Sequence, residues 1–222
     1  TYTDLVSLKK MDDESLTVPK VISLVIGTRP DCISEEIVDY LSTLSKKYYI
    51  SLEFGVESTL NRTLKSVNRC HTYEETIATY EYCKNKGIHL GAHLIIGFPG
   101  ETKEDLLNHA TEISKLPIDT LKLHHLQIVK QSIMAFQYKK NPENFNLFTA
   151  DSYIDLMSDF VGLLRPDIII DRFVSEAPQD LLIAPKWNGL KNFEIVAKID
   201  QKLSEKNTWQ GKFYKDQSQL VK

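Results

Sequence analysis

Cysteine is scarce in this chain: Cys32, Cys70 and Cys83 are the only three, far apart and without CxxC spacing. An odd, scattered set excludes a disulfide scaffold and a zinc finger, and it suits a reducing compartment, so the expected location is the cytoplasm. Long apolar runs are missing too. Nothing approaches the roughly 18 residues of a membrane span and no secretory signal opens the chain, so no membrane contact is expected. Neither sign of charge dominates: 27 Lys and Arg stand against 30 Asp and Glu, a net −3. That gives no electrostatic reason to expect nucleic acid, although a local patch would not register in the total. The basic, aromatic stretch from Val129 to Lys140 is the one segment of that kind, and it reads as a solvated loop. No Walker-type phosphate loop and no Ser/His/Asp signal occurs. The start, TYTDLVSLKK, carries no methionine and reads like the middle of a longer protein.

What is present reads as a globular protein. The 222 residues are 42% hydrophobic and 26% charged, enough for one large domain or one domain plus an extension. Residues 1–20 form a polar leader with a weakly helical middle. A β-branched strand at 21–26 ends in Gly-Thr-Arg-Pro-Asp-Cys, and Ser34 then caps a helix with Glu35 and Glu36 in its first turn. A second strand spans 49–56, followed by a polar loop over 57–71. Thr72 and Glu75 open the next helix as a capping box, and Gly87 is placed to end it. The strand over 89–96 breaks at Gly97-Phe98-Pro99-Gly100 and restarts as a helix at Thr102. A fourth strand is expected over 121–128, an irregular excursion over 129–148, a helix over 151–164 and a last strand over 168–170. A helix near 193–203 follows, and the end from Thr208 is expected to fray.

Strand and helix alternate, and each helix is long enough for a right-handed crossover, so the strands should be parallel. A sheet covered on both faces would show continuously apolar strands. Here one side is apolar, and the other carries Ser23, Ser51, Glu53, His89, His93, Lys122 and His124. A polar inner face fits a functional barrel lumen. The expected class is α/β: a partial (β/α) barrel with parallel strands over 21–175, plus a helical C-terminal extension over 176–222. Such a barrel, cut before Val21, would leave an open edge that invites self-association unless the leader covers it. The site should form at the C-terminal ends of the strands, where carboxylates, a guanidinium, imidazoles and open backbone N–H groups gather.

Those residues carry a family resemblance. The segment LEFGVESTLNRTLKSVNRCHTYEETIATYEYCKNKGIHLGAHLIIGFPGET, residues 52–102, resembles the central part of radical SAM enzymes. It is similar to the branch with oxygen-independent coproporphyrinogen oxidases and tRNA-modifying elongator enzymes, through a G-V-E-S turn, an N-R-x-H loop and a G-F-P-G-E-T turn. IGTRPDC, LKLHHLQIVKQS and RFVSEAPQDLLIAPKW resemble the narrower YhcC-like group. The resemblance implies S-adenosylmethionine (SAM) and a [4Fe–4S] cluster as cofactors, and reductive cleavage of SAM in the full-length protein on a small-molecule or macromolecular substrate the sequence does not name. It implies that Glu57 meets the ribose or methionine part of SAM, Arg69 its carboxylate and His93 the ribose. Gly97, Phe98, Pro99 and Gly100 would pass the adenine, with Leu126 and Gln127 flanking it.

Departures stand beside these matches. Gly27 replaces a SAM-contacting Glu of some relatives, Cys70 a Gly, and position 57 is Glu rather than Gln. The CxxxCxxC loop that holds the family's cluster does not occur, which makes the chain read as an inactive fragment. Clusters need thiolates brought together, and Cys83 falls on the apolar helix face of Ile77 and Tyr80, as a core residue would. Two other readings compete. One is a metal-dependent barrel hydrolase using Glu57, His93 and His124. The other is a non-catalytic binding domain on the same fold.

Overall fold

The computed structural model describes residues 3–216. The chain divides into two compact units, one of residues up to His93 with Leu116–Leu121, the other of Leu94–Lys115 with everything from Lys122.

In the first unit, α1 (Leu5–Leu16) starts at Asp4, whose carboxylate accepts from the Ser7 N–H, and buries only Leu8 and Asp12. β1 (Ser23–Thr28) lies slightly later than its apolar run suggested. After it, α2 (Glu35–Leu44) begins at the expected Ser34 cap and buries Ile37, Val38 and Leu41. β2 (Tyr49–Glu57) runs parallel to β1, with Ser23 opposite Tyr49 and Thr28 opposite Phe54. The stretch expected as a polar loop contains α3 (Asn61–Ser66), a helix too short to show a period in sequence, which buries Thr63 and Leu64. α4 (Tyr73–Cys83) opens in the expected capping box of Thr72 and Glu75. It ends before Gly87, because Asn85 already turns the chain at a φ of 62°. Cys83 on this helix is fully buried, as expected of a core residue. β3 (His89–Ile96) follows.

In the second unit, Thr102 caps α5 (Lys103–Ile113) and closes a capping box with Asp105. The fourth strand is shorter than expected. β4 (Thr120–His125) stops where the Leu126 N–H bonds the Ile96 carbonyl, and β5 (Ile128–Val129) starts a separate ribbon. The excursion is not irregular throughout: α6 (Ile133–Lys140) is capped by Ser132. Its Ile133 and Phe136 are 81% and 71% exposed, so no buried stripe marked it in sequence. α7 (Ala150–Leu163), β6 (Ile169–Arg172), β7 (Leu182–Ala184) and α8 (Asn192–Glu205) complete the order. β7 pairs antiparallel with β5, a strand not expected from the sequence.

The end of the chain also differs from expectation through residue 213. Gln210 donates to the carbonyls of Arg165 and Ile168, Gly211 N–H to Val161 and Phe213 N–H to Gly162. The remainder of the expected frayed end, from residue 217, lies outside the described residues.

The parallel sheet has strand order β1-β2-β3-β4-β6. Its strands alternate as the sequence predicts. Ile50, Leu52, Phe54 and Val56 of β2, Leu90, Ala92, Leu94 and Ile96 of β3, and Leu121 and Leu123 of β4 are all buried. On the other side Glu53, His93, Lys122 and His124 are half-buried, while Ser51 and Gly91 are sealed. No helix among the described residues is long and apolar enough to cross a membrane.

Candidate functional site

At the C-terminal end of β2 the chain turns abruptly. The Ser58 N–H donates back to the Val56 carbonyl at 2.8 Å, and Glu57 between them takes a φ of 67°. This two-residue hydrogen bond around a positive φ is the strained γ-turn, a conformation that side-chain-bearing residues rarely adopt. Burial raises the Glu57 carboxyl above its ordinary range, and the nearby Arg69 opposes that. Arg69 is set by the end of α3. Asn68 adopts the left-handed conformation at a φ of 57°, and the Arg69 N–H bonds back to the Leu64 carbonyl at 2.8 Å. That is the helix-ending motif Asn tolerates well, and it aims Arg69 back at β2. Arg69 Nη2 donates to the Gly55 carbonyl at 2.6 Å and lies 3.4 Å from Glu57 Oε1. Its Nε is buried and has no hydrogen-bond partner.

Two residues on, the His71 side chain is fully buried, with Nδ1 3.7 Å from Asp31 Oδ1. Burial first, and then Arg69, lower its pKa. Asp31 takes a fork of two bonds from Arg29, at 2.9 and 2.7 Å, which holds its carboxyl below the usual range. His93 Nε2 lies 2.9 Å from Glu53 Oε2 on the polar side of β2 and β3. In this unit, therefore, Glu57 and Arg69 come together as expected, and His93 is paired with Glu53. The expected list omitted Asp31 and His71; the N-R-x-H loop was the signal that contained His71.

In the second unit the turn after β3 is built on two glycines, Gly97 at a φ of 100° and Gly100 at 84°. A Cβ on Gly97 would stand 2.8 Å from the Phe148 ring, whereas one on Gly100 would meet nothing within 4 Å. Phe98 and Leu126 are buried and Pro99 is half-buried. The Glu101 and His109 side chains, both sealed, lie 3.4 Å apart and pin the turn to α5. Gln127 is engaged by Ser175: its Nε2 donates to the Ser175 carbonyl and its Oε1 accepts from Ser175 Oγ, both at 3.3 Å.

Among the described residues no three His, Cys, Asp or Glu side chains are grouped to hold a metal ion. Cys32 and Cys70 are free thiols, and burial pushes the Cys83 thiol up to about 11.

Comparison with known proteins agrees along the whole fold. The profile of the Radical SAM superfamily matches residues 2–113, and that of the Radical SAM C-terminal domain residues 118–205. The chain is similar to the uncharacterised protein YtqA of Bacillus subtilis, 28% identical over 96% of this chain and 66% of that one. It is similar to the uncharacterised protein MJ0486 of Methanocaldococcus jannaschii, 32% identical over 95% of this chain and 65% of that one. Protein YhcC of Escherichia coli is 28% identical over 84% of this chain and 60% of its own length. The chain thus spans between 60% and 66% of these relatives. The fold is like that of Methanocaldococcus infernus Elp3, with a TM-score of 0.71 at 21% identity, over 85% of this chain and 43% of that structure.

Proposed function

Because the chain belongs to the Radical SAM superfamily, we propose that it forms the cofactor-binding part of an enzyme that cleaves SAM reductively. The observation that carries this reading is the strained Glu57 turn beside the buried, unpartnered Arg69 Nε. Backbone strain of this kind costs about 1–3 kcal/mol and persists where the surroundings impose it, commonly at ligand sites. An unpaired buried guanidinium N–H costs a comparable amount until an acceptor arrives. The carboxylate of SAM is such an acceptor, so the first unit fits this cofactor. Bound SAM would supply the adenosyl and methionine groups of the family's chemistry. Arg69 would hold its carboxylate, Glu57 would accept from its ammonium or ribose hydroxyls, and His93, oriented by Glu53, would face the ribose. In the second unit Gly97, Phe98, Pro99 and Gly100 would pass the adenine by backbone contact, with Leu126 and Gln127 beside it.

The cluster does not fit the residues present. It needs several thiolates brought together, and of the three free cysteines here Cys83 is sealed, which leaves only Cys32 and Cys70. We therefore place its ligands outside the described residues and derive no step through it. The test is titration of SAM against the intact gene product and its variants. Losing a charge-assisted bond from a partly buried site costs roughly 1.5–3 kcal/mol, about ten- to a hundredfold in affinity. Arg69→Ala should weaken binding at least tenfold without changing iron content. Glu57→Gln should be mild and Glu57→Ala severe. Wild-type affinity in all three would remove the cofactor from this end of β2 and favour the non-catalytic reading.

A further inference from the structure

His125 ends β4 on the side of the strand that Leu121 and Leu123 bury, opposite Lys122 and His124. Its ring stacks on Trp187, centroids 4.0 Å apart and planes 22° from parallel, and meets Tyr153 edge-on at 5.7 Å. Trp187 is itself fixed, its Nε1–H donating to the Phe148 carbonyl at 2.7 Å. Only 5% of His125 is exposed, and its Nδ1 is sealed with no hydrogen-bond partner. An orphaned N–H is rarer in protein interiors than an acceptor without its donor, so the sealed Nδ1 is the lone pair and the proton sits on Nε2. Burial holds the His125 pKa down at about 4, so the ring is neutral near pH 7.

This side chain lines a cavity of about 480 Å³ in the second unit. Val174, Leu182 and Ile195 supply an apolar wall, and the exposed Lys186 and Lys191 also line the cavity. The one carboxylate in the lining, Glu176, is tied by Oε1 to the N–H of Asn192 at the start of α8. A hollow that joins an apolar wall to a few convergent polar groups is a usual form of a small-molecule site.

We propose that this cavity binds a small organic acid. One carboxylate oxygen takes the His125 Nε2–H, Lys186 and Lys191 offset its charge, and its carbon body lies on Val174, Leu182 and Ile195. The inference rests on the second unit alone; Gln127, placed above beside the adenine, also lines this cavity, so acid binding is measured without SAM.

The test uses Trp187 as reporter. The chain has two tryptophans, so Trp209→Phe leaves Trp187 as the only emitter. This protein is titrated with phenylacetate, hexanoate and decanoate, and with the matching alcohols. At least one acid should change the emission saturably, and its alcohol should bind at least tenfold more weakly. His125→Phe keeps the ring stack and loses the N–H, so it should weaken the acid at least tenfold, while His125→Gln, which still donates, should recover part of that loss. Equal binding of acid and alcohol, unaltered affinity in His125→Phe, or no saturable change with any acid up to millimolar concentration would each overturn the proposal. Should both variants fail to fold, ¹⁵N NMR of the unaltered ring decides. Saturating acid must shift the His125 Nε2 resonance, and an unmoved signal counts against the site.

Discussion

Glu57 combines a left-handed backbone with a carboxyl that burial disfavours in its charged form. Both features oppose folding, and glycine relieves both, since it adopts positive φ freely and carries no charge. Glu57→Gly should therefore raise the unfolding free energy by about 1 kcal/mol, after allowing for the extra chain entropy of glycine. The same change should weaken SAM binding as Glu57→Ala does. Urea unfolding checks the first outcome and SAM titration the second. A loss of stability would show that the turn is held by the carboxylate rather than in spite of it. The sequence marked this residue through the G-V-E-S resemblance, but nothing in it showed the turn. Glutamate has no preference for positive φ, and the Val56–Ser58 bond is a backbone event. His125 shares the side of β4 that Leu121 and Leu123 bury, and nothing in the sequence showed its ring stacked on Trp187.

Among the elements, the turn after β3 was the most readable, because glycine, proline and the Thr102 cap all marked it in sequence. Its two glycines need that residue type for different reasons. Gly97 combines a positive φ with a 2.8 Å approach to Phe148, whereas Gly100 has open space around its Cα. A Cβ in the left-handed region costs roughly 1–2 kcal/mol by itself. Gly100→Ala should show about that loss in chemical unfolding. Gly97→Ala should lose more, on the order of 2–4 kcal/mol, because Phe148 must also move. Equal losses would mean that the Phe148 contact yields freely. Where sequence reading failed, the elements lacked a burial pattern. α3 is six residues long, α6 turns its apolar residues outward, and β5 and β7 are too short to alternate. The Thr72–Glu75 capping box and the Thr102 cap, by contrast, placed the starts of α4 and α5 correctly, because caps are chemical signals that need no period.

At the scale of the whole molecule, the alternation of strands with crossover helices predicted parallel strands and the one-sided alternation of β2, β3 and β4 a polar side, and the structure bears both out. Acid stability follows from the buried imidazoles. His125 titrates near 4 in the fold, and His71 is also lowered, against an ordinary 6.5. At pH 7 both are mostly neutral whether folded or unfolded, so their effect on stability there is small. Below 6.5 the unfolded chain takes up protons that the fold refuses, and stability falls until the folded pKa is reached. For His125 alone this amounts to about 1.4 kcal/mol per pH unit. Glu57 and Asp12 work the other way, since their raised carboxyls are relieved by protonation as pH falls. Unfolding free energies measured from pH 7 to pH 4 should decline in the unaltered protein and decline less steeply in His125→Phe. Parallel profiles would remove His125 as the cause.

The hydrogen bonds from Gln210, Gly211 and Phe213 to the end of α7 and the residues just after it bear on where such a protein can be cut. The C-terminal family profile stops at residue 205, the last residue of α8. Anyone choosing expression boundaries from that profile would discard the residues that satisfy the Val161 and Gly162 carbonyls and cover Gly162 with Phe213. The Gly162 carbonyl would lose the Phe213 N–H, and the Val161 carbonyl would keep only the Leu164 N–H, against a newly bared apolar surface. The working limit of this fold therefore lies beyond the limit of its recognisable sequence, at about the last turn that Phe213 closes.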